Sequence, residues 1–230
     1  DQALYRWSGA DVETLISMPG RVRVLEQSWR VPRAVQEVAA NVVDRIRHRR
    51  EKVWYPRDEE GSVKFHASWG SVDFSGPDIL ILARNRYLLR EFEMNLKSMG
   101  YLYEFQGVRS IRPKLLDAVL TWERLRQGKP GVTAEAVRKM YEMMSVGKSV
   151  KRGFKSLPGP ADETEVDMQY LIEHGGLLAS PTAIWYDALD KMNLTDIAYI
   201  RAARRRGENL LAAPRIRLST IHGMKGGEAD

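Results

Sequence analysis

The stretch that decides the fold is DILILA, residues 78–83, which follows Gly76-Pro77 and carries an unbroken apolar run. Such a run after turn residues is typical of a strand buried on both faces of a parallel sheet. A helix is predicted next, with Gly100 as its stop, and then a second strand at 101–105. The order strand, helix, strand indicates an α/β fold with helical crossovers. The apolar positions of that helix are Leu88, Leu89, Phe92, Leu96 and Met99.

The residues outside this core extend the same pattern. Residues 21–25 and 63–67 are predicted to be short strands, and Pro32 suits the first turn of a helix between them. After Pro214, residues 215–221 return to a strand pattern. Strands of one α/β domain are therefore expected from both ends of the chain. The apolar stripe of the helix after Pro32 is Val35, Val38, Ala39, Val42, Val43 and Ile46.

The middle of the chain has the spacing of helices. Thr133 and Ser180-Pro181 have the character of helix starts, and residues 147–164, rich in Gly, Pro, Lys and Ser, predict a mobile loop. Both ends of the chain fall inside dense motifs, so we interpret it as a fragment of a longer protein. The expected divisions are an α/β domain at 1–108, an all-helical inserted subdomain at 109–213 and a return to the α/β domain at 214–230.

Composition narrows the function classes. Of the 230 residues, 36 are Lys or Arg and 30 are Asp or Glu, which gives a net charge of +6 and a pI of about 9.5. A basic balance favours a polyanionic partner such as nucleic acid. The absence of cysteine excludes disulfides and thiolate metal sites and fits a reducing, cytoplasmic setting. No apolar run is long enough to span a membrane, and the histidines lack metal-site spacing.

The first motif, DQALYRWSGAD at 1–11, contains Gln2 and Trp7. A glutamine beside a phosphate can donate and accept hydrogen bonds at once, and so can respond to a terminal phosphate and its water. A tryptophan offers a flat face for an unpaired base, worth about 1–3 kcal/mol per base. The pair would link nucleotide state to strand contact. A turn around a buried tryptophan is the structural alternative.

The second motif, LEQSWR at 25–30, places Trp29 and Arg30 just after a predicted strand. Open α/β sheets bind ligands at the carboxyl ends of their strands. There Trp29 could stack on a purine, and Arg30 could stabilise charge on a transferred phosphoryl group. A core tryptophan beside a surface arginine is the plainer interpretation of the same residues.

The third motif, LSTIHGMKGGE at 218–228, again follows a predicted strand. Its small residues let backbone N–H groups approach an anion closely. Thr220 and His222 can bond a DNA phosphate, and Glu228 can accept from ribose hydroxyls. Any tight turn could produce a similar stretch, so this motif taken alone leaves both interpretations open.

Two basic features of the sequence have plainer interpretations than the three motifs. The GKS sequence at 147–149 has the ending of a phosphate-binding P-loop, but that loop requires a glycine where Glu142 stands. We interpret it as a basic loop within reach of DNA. The basic runs at 45–50 and 204–206 are typical of solvated faces, with salt-dependent phosphate contact as the alternative.

Together the three motifs resemble those of the UvrD, Rep and PcrA helicases of superfamily 1. The family patterns are Gly-Asp-x-Asp-Gln-Ser-Ile-Tyr-x-Trp-Arg-Gly-Ala, Leu-Glu-Gln-Asn-Tyr-Arg-Ser and Thr-x-His-x-x-Lys-Gly-Leu-Glu, and all three occur here in family order. The resemblance covers about residues 1–108 and 214–230. It implies the second RecA-like motor domain of an ATP-dependent DNA helicase, which moves 3′ to 5′ and serves DNA repair or replication.

The resemblance implies a role for individual residues. Gln2 and Arg30 would act at the γ-phosphate as catalytic residues. The ATP contacts would be Gln2, Trp29, Arg30, Gly226 and Glu228. The contacts to single-stranded DNA would be Tyr5, Arg6, Trp7, Arg84, Asn85, Thr220 and His222.

The implied partners follow from the same family. ATP and Mg²⁺ would be held mainly by an upstream RecA-like domain that carries the P-loop, so this chain is expected to be inactive alone. Its nucleic acid would be single-stranded DNA or a junction with duplex, bound by a monomer without a membrane. The departures from the family are Ser8 for Arg, Trp29 for Tyr, Gly227 for Leu, and residues 108–112, which lack the aromatic and acidic residues of the corresponding segment.

Two other classes stay open at this point. A non-catalytic module that binds nucleic acid or acts as a scaffold would lack an upstream P-loop in its full-length gene. The helicase part of a helicase–nuclease of the RecB or AddA type would carry a nuclease region downstream.

Overall fold

The described residues form an α/β protein with a mixed sheet and flanking helices. The structure is a computed structural model that describes residues 8–47, 49 and 51–227. The chain divides into two compact units, Asp1–Asp73 and Phe74–Asp230. Each is described by itself below, and the domain boundaries expected from the sequence stay predictions.

Helices α1 (Val12–Ser17) and α2 (Arg33–Val43) belong to the first unit. The carboxylate of Asp11 begins α1 by accepting the backbone N–H groups of Glu13 and Thr14 at 3.0 and 3.3 Å. Helix α2 starts immediately after Pro32, which confirms the helix predicted there. The helix ends at Val43, however, so Ile46, the last residue of the predicted stripe, lies beyond the helix.

The two strands predicted in the first unit are wrong. Residues 21–25 and 63–67 form no strand, and the pairing described in this unit is a single bridge between Gln27 and Tyr55. Alternating apolar residues can only form a strand where a neighbour pairs with them and a core buries one face. Leu25 and Phe65 are instead 85% and 88% exposed.

The second unit is built on a sheet whose order is β1-β4-β2-β3 among the described residues. Strands β1 (Ile79–Ala83), β4 (Ile216–Thr220) and β2 (Tyr103–Phe105) are parallel, whereas β3 (Val108–Arg109) is antiparallel to β2. The predicted parallel sheet is thus mixed, because β3 follows β2 through a two-residue turn and must reverse direction.

The sheet is buried on one face of β1 rather than on both, which corrects the prediction made from its apolar run. Ile81 is 8% exposed and packs in the core with Leu218, its partner on β4. Leu82, which points to the other face, is 44% exposed. A continuous apolar run therefore also occurs in a strand that is covered on only one face.

Helix α3 (Arg86–Met99) connects β1 to β2 and packs against β1 and β4. Its apolar side chains Leu89 and Leu96 are buried, and it stops at Gly100, as predicted. Gly100 has φ +77°, and a Cβ built there would lie 2.6 Å from the backbone of Ala202. Only glycine allows this contact between the end of α3 and the neighbouring α8 (Leu194–Arg206).

The segment between β3 and β4 is helical, as predicted. It contains α4 (Pro113–Arg126), α5 (Ala134–Tyr141), α6 (Met168–Glu173), α7 (Trp185–Ala188) and α8. Thr133 caps α5 by accepting the N–H of Ala136 at 3.3 Å. The start predicted at Ser180-Pro181 is wrong, because Ser180 accepts the N–H of Ala183 at 2.9 Å in a turn that precedes α7. The largest fully buried side chains of this segment are Trp122, Trp185, Tyr141, Met140, Met144, Leu157, Leu171, Leu189 and Ile200.

Residues 147–164 are irregular, as predicted, but buried side chains and hydrogen bonds fix their conformation. Val150 and Leu157 are fully buried. The guanidinium of Arg138 donates to the carbonyls of Ser156, Leu157 and Pro160 at 2.7, 3.1 and 2.5 Å. This guanidinium therefore holds the turn at 156–160, within the Gly- and Pro-rich segment that predicts a mobile loop.

We expect Gly100→Ala to destabilise the protein far more than Gly207→Ala. Both glycines follow helices in left-handed conformations, so alanine should cost roughly 1–2 kcal/mol of backbone strain at each. A Cβ at Gly207 meets nothing within 4 Å, whereas one at Gly100 overlaps the Ala202 backbone. Overpacking should add about 1–3 kcal/mol there. Urea unfolding followed by tryptophan fluorescence measures both variants, and equal losses would contradict the close approach of α3 and α8.

Asp190 has a largely buried carboxylate, which accepts hydrogen bonds from the backbone N–H of Ser145 at 2.7 Å and from the Ser145 hydroxyl. Burial alone would raise the pKa of Asp190, but hydrogen bonds from Ser145 and Ser149 and the nearby Lys148 outweigh it and lower the pKa below its ordinary value. The resulting stabilisation is complete above the unfolded pKa of about 3.9 and is lost as pH falls through the folded pKa.

We therefore expect Asp190→Asn to destabilise the protein at pH 7 and to flatten the fall in unfolding free energy below about pH 4. Urea titrations at several pH values measure this, with Ser145→Ala expected to weaken the same acid dependence. A wild-type and an Asp190→Asn curve that stay parallel down to pH 3 would contradict the assignment.

Candidate nucleic-acid interface

The carboxyl ends of the three parallel strands meet at one edge of the sheet. Ala83 pairs with Thr220 at the end of β1 and β4, and the N–H of Ile221 donates to the carbonyl of Ala83 at 3.0 Å. The chain turns away from each strand just beyond this point. The residues that follow β1, β4 and β2 are therefore neighbours, although the sequence separates them widely.

Arg84 and His222 are the clearest product of this arrangement. A guanidinium nitrogen of Arg84 lies 3.3 Å from Nε2 of His222, across 138 positions of sequence. Arginine only donates, so Nε2 of His222 is the acceptor in this hydrogen bond. Arg84 is exposed and has five N–H donors, so the contact with His222 leaves others directed to solvent. Both residues were predicted from the sequence to contact DNA.

Asn85 sits between Arg84 and the first turn of α3. It occupies the cap position with an extended backbone, yet its side chain makes no capping hydrogen bond. The amide is exposed next to the amino end of a 14-residue helix, where unpaired N–H groups and the helix dipole favour an anion. Asn85, which the sequence predicts to contact DNA, thus lies beside Arg84, and its side chain is not used to cap the helix.

The segment after β4 folds into consecutive tight turns. The hydroxyl of Thr220 accepts the N–H of Gly223 at 3.1 Å, and the carbonyl of Thr220 accepts the N–H of Met224 at 3.1 Å. A Cβ at Gly223 would lie 3.0 Å from the hydroxyl of Ser219, so glycine suits this turn sterically. Gly226 has φ +87° and is exposed. The turns orient Thr220 and His222 along the same edge as Arg84.

Trp29 and Arg30 belong to the first unit, in a defined loop before α2. The hydroxyl of Ser28 accepts the N–H groups of Arg30 and Val31 at 3.4 and 3.2 Å, and the N–H of Ser28 donates to Tyr55 at 2.8 Å. Trp29 is 84% exposed, so the interpretation as a core tryptophan is wrong. Its indole face is open to solvent, as stacking on a base would require.

Several predicted contacts lie outside the described residues: Gln2, Tyr5, Arg6, Trp7 and Glu228. The convergence of Trp29, Arg30 and Gly226 on a common nucleotide cleft stays a prediction.

Two residues of the edge, Arg86 and Gln106, were not singled out from the sequence. Arg86 opens α3, and its side chain donates to the side-chain oxygen of Gln106 in the turn after β2. The signal that could have found Gln106 is Gly107, which follows it between two short strand patterns and suits a turn position with positive φ.

Two cavities of the helical segment lie away from this edge. One of about 630 Å³ is lined by residues 128–131 and 165–170 in the helical segment. Its acidic side chains already have structural roles, because Glu165 accepts the N–H of Gly131 at 3.1 Å and Asp167 that of Tyr170 at 2.8 Å. Within the described ranges, no group of three His, Asp or Glu side chains is arranged to hold a metal ion. The sheet edge is therefore the better candidate.

Comparison with known proteins adds no assignment. No protein-family model, no curated protein and no solved structure matches the chain. In the part of the chain that the structure describes, no helix is both long and apolar enough to cross a membrane. The residues of the edge therefore carry the functional argument.

Proposed function

We propose that the chain is the second RecA-like motor part of an ATP-dependent helicase or translocase that tracks along single-stranded DNA. The observation that carries this proposal is the contact between Arg84 and His222 at the carboxyl edge of β1 and β4. These residues come from two motifs that the resemblance to UvrD-type helicases assigns to the same DNA strand. Two residues that contact the same DNA strand must lie close together, so the contact between Arg84 and His222 supports that assignment.

The finer fold is part of the proposal. A RecA-like domain needs parallel strands with helical crossovers, and β1, α3 and β2 provide one such unit. The helical segment enters after β3 and the chain returns to the sheet at β4, which is compatible with a helical subdomain inserted between strands.

The edge residues suit a phosphate backbone. Arg84 can donate two parallel hydrogen bonds to a phosphate, while Thr220 and His222 can donate single ones. Asn85 adds an amide donor at the amino end of α3. Contacts to phosphates carry no sequence information, so the expected binding is independent of sequence and strongly dependent on salt.

Trp29 and Arg30 carry the nucleotide side of the proposal. The exposed indole of Trp29 and the guanidinium of Arg30 fit the base and the phosphates of a nucleotide, respectively. ATP with Mg²⁺ would supply the free energy of phosphoanhydride hydrolysis when bound. Gln2, Gly226 and Glu228 are proposed to complete the contacts to the γ-phosphate, the phosphate chain and the ribose.

We expect the 230-residue chain to bind single-stranded DNA through this edge. Arg84→Ala should weaken binding about fivefold and reduce the slope of log K against log salt by about 0.7, the value for one phosphate contact on a single strand. Fluorescence anisotropy with a labelled oligonucleotide over 50–200 mM salt, about the range in which such contacts weaken, measures both.

The matched control for Arg84→Ala is Arg205→Ala. Arg205 is an exposed arginine in the last turn of α8, the helix whose Ala202 lies beside Gly100 at the far end of α3 from the edge. The two variants lose the same charge, so an equal effect of both would mean that binding follows net charge alone. That result would contradict an interface at the carboxyl edge.

We also expect no ATP hydrolysis by this chain alone, since none of its 230 residues completes a P-loop. Steady-state phosphate release with and without single-stranded DNA measures this, and the background is set by the Arg30→Ala variant. Turnover that disappears in Arg30→Ala would show a complete nucleotide site and would contradict the proposal that another domain supplies part of it.

A further inference from the structure

The turn between β2 and β3 has an unusual residue. Gln106 and Gly107 are its two central positions, with φ of +49° and +83°. A two-residue hairpin of this type requires left-handed backbone at both positions, and Gly, Asn or Asp normally occupies them. Glutamine gains no local hydrogen bond that would favour this conformation. An outlier of this kind points to a role for the side chain that the turn itself does not need.

The side chain of Gln106 holds Arg86. The guanidinium of Arg86 donates to Oε1 of Gln106 and lies over the ring of Phe105, 5.8 Å from its centroid. The backbone N–H of Gln106 donates to the carbonyl of Leu218 at 3.1 Å, which ties the turn to β4. One hairpin therefore positions Arg86 from two sides while being fixed to the sheet.

Arg86 is placed where it can extend the interface. It follows Asn85 directly at the amino end of α3, and Gln106 follows β2, the strand on the other side of β4 from β1. Arg86 is exposed and forms no ion pair with any carboxylate in the described ranges, so its positive charge is not neutralised there. The hydrogen bond to Gln106 uses one of the five N–H donors of Arg86 and leaves others for a ligand.

We propose that Arg86 is a further contact to the phosphate backbone of the bound strand, and that Gln106 is the residue that positions it. This inference rests on the proposed function, because it adds a residue to the same edge. It extends the row of donors from β1 and β4 towards β2. The strain at Gln106 persists because glycine, which fits the turn, cannot hold the guanidinium.

The test compares Arg86→Ala, Gln106→Gly and the double variant in the 230-residue chain, with the same labelled oligonucleotide and salt range. Arg86→Ala should weaken binding about fivefold and lower the salt slope by about 0.7. Gln106→Gly should weaken binding about threefold while retaining the slope, because the charge stays. In the Arg86→Ala background, Gln106→Gly should have no further effect.

Stability distinguishes the positioning role of Gln106 from a purely structural one, because replacing a purely structural glutamine would lower the urea midpoint. Gln106→Gly relieves the left-handed strain, so its urea midpoint should rise or stay level while DNA binding weakens. A lower midpoint with unchanged binding would overturn the positioning role.

The outcomes separate this inference from the proposed function. If Arg84→Ala weakens binding and Arg86→Ala does not, the function stands and the inference is wrong. If the unmodified chain shows no salt-dependent affinity for single-stranded DNA, the proposed function fails and the inference fails with it. A further loss on adding Gln106→Gly to Arg86→Ala would show that the glutamine acts independently of the arginine.

Discussion

The second unit depends on the parallel pairing of β1 with β4. Five consecutive residues of each strand are in register, from Ile79 opposite Ile216 to Ala83 opposite Thr220. Bringing these distant strands together costs loop-closure entropy before their hydrogen bonds can form. Burial of Ile216 and Leu218 offsets that cost, and the segment between the strands reduces it further by folding around its own buried side chains.

The register of this pair also decides which residues lie at the candidate interface. At the start of the strands, Asp78 accepts two hydrogen bonds from Arg217, both at 2.8 Å, which favours the observed alignment. A shift of β4 by one residue would turn Arg217 towards the buried face and move Leu218 out of the core. The same shift would separate His222 from Arg84, so the core that fixes the register also assembles the edge.

The sequence correctly predicts the elements that combine a clear period with clear boundaries. The strand at 79–83, the helix ended by Gly100 and the strand at 216–220 are confirmed. Since parallel strands bring their carboxyl ends together, the placement of Arg84 near His222 follows from those strands. The strands expected at 21–25 and 63–67 fail because alternation does not reveal whether a partner strand exists.

The composition of the edge favours a polymer over a single small anion. Its donors follow three adjacent strands, from Arg84 after β1, through His222 after β4, to Gln106 with its bound Arg86 after β2. Neighbouring strands lie about 4.8 Å apart, so this row spans about 10 Å, more than one phosphate group can bridge. A phosphate in a closed pocket would be surrounded by donors, whereas these donors follow neighbouring strands and Arg84 and Arg86 are exposed. A chain of phosphates lying across the strand ends satisfies that geometry, because each donor then contacts a different unit of the same molecule.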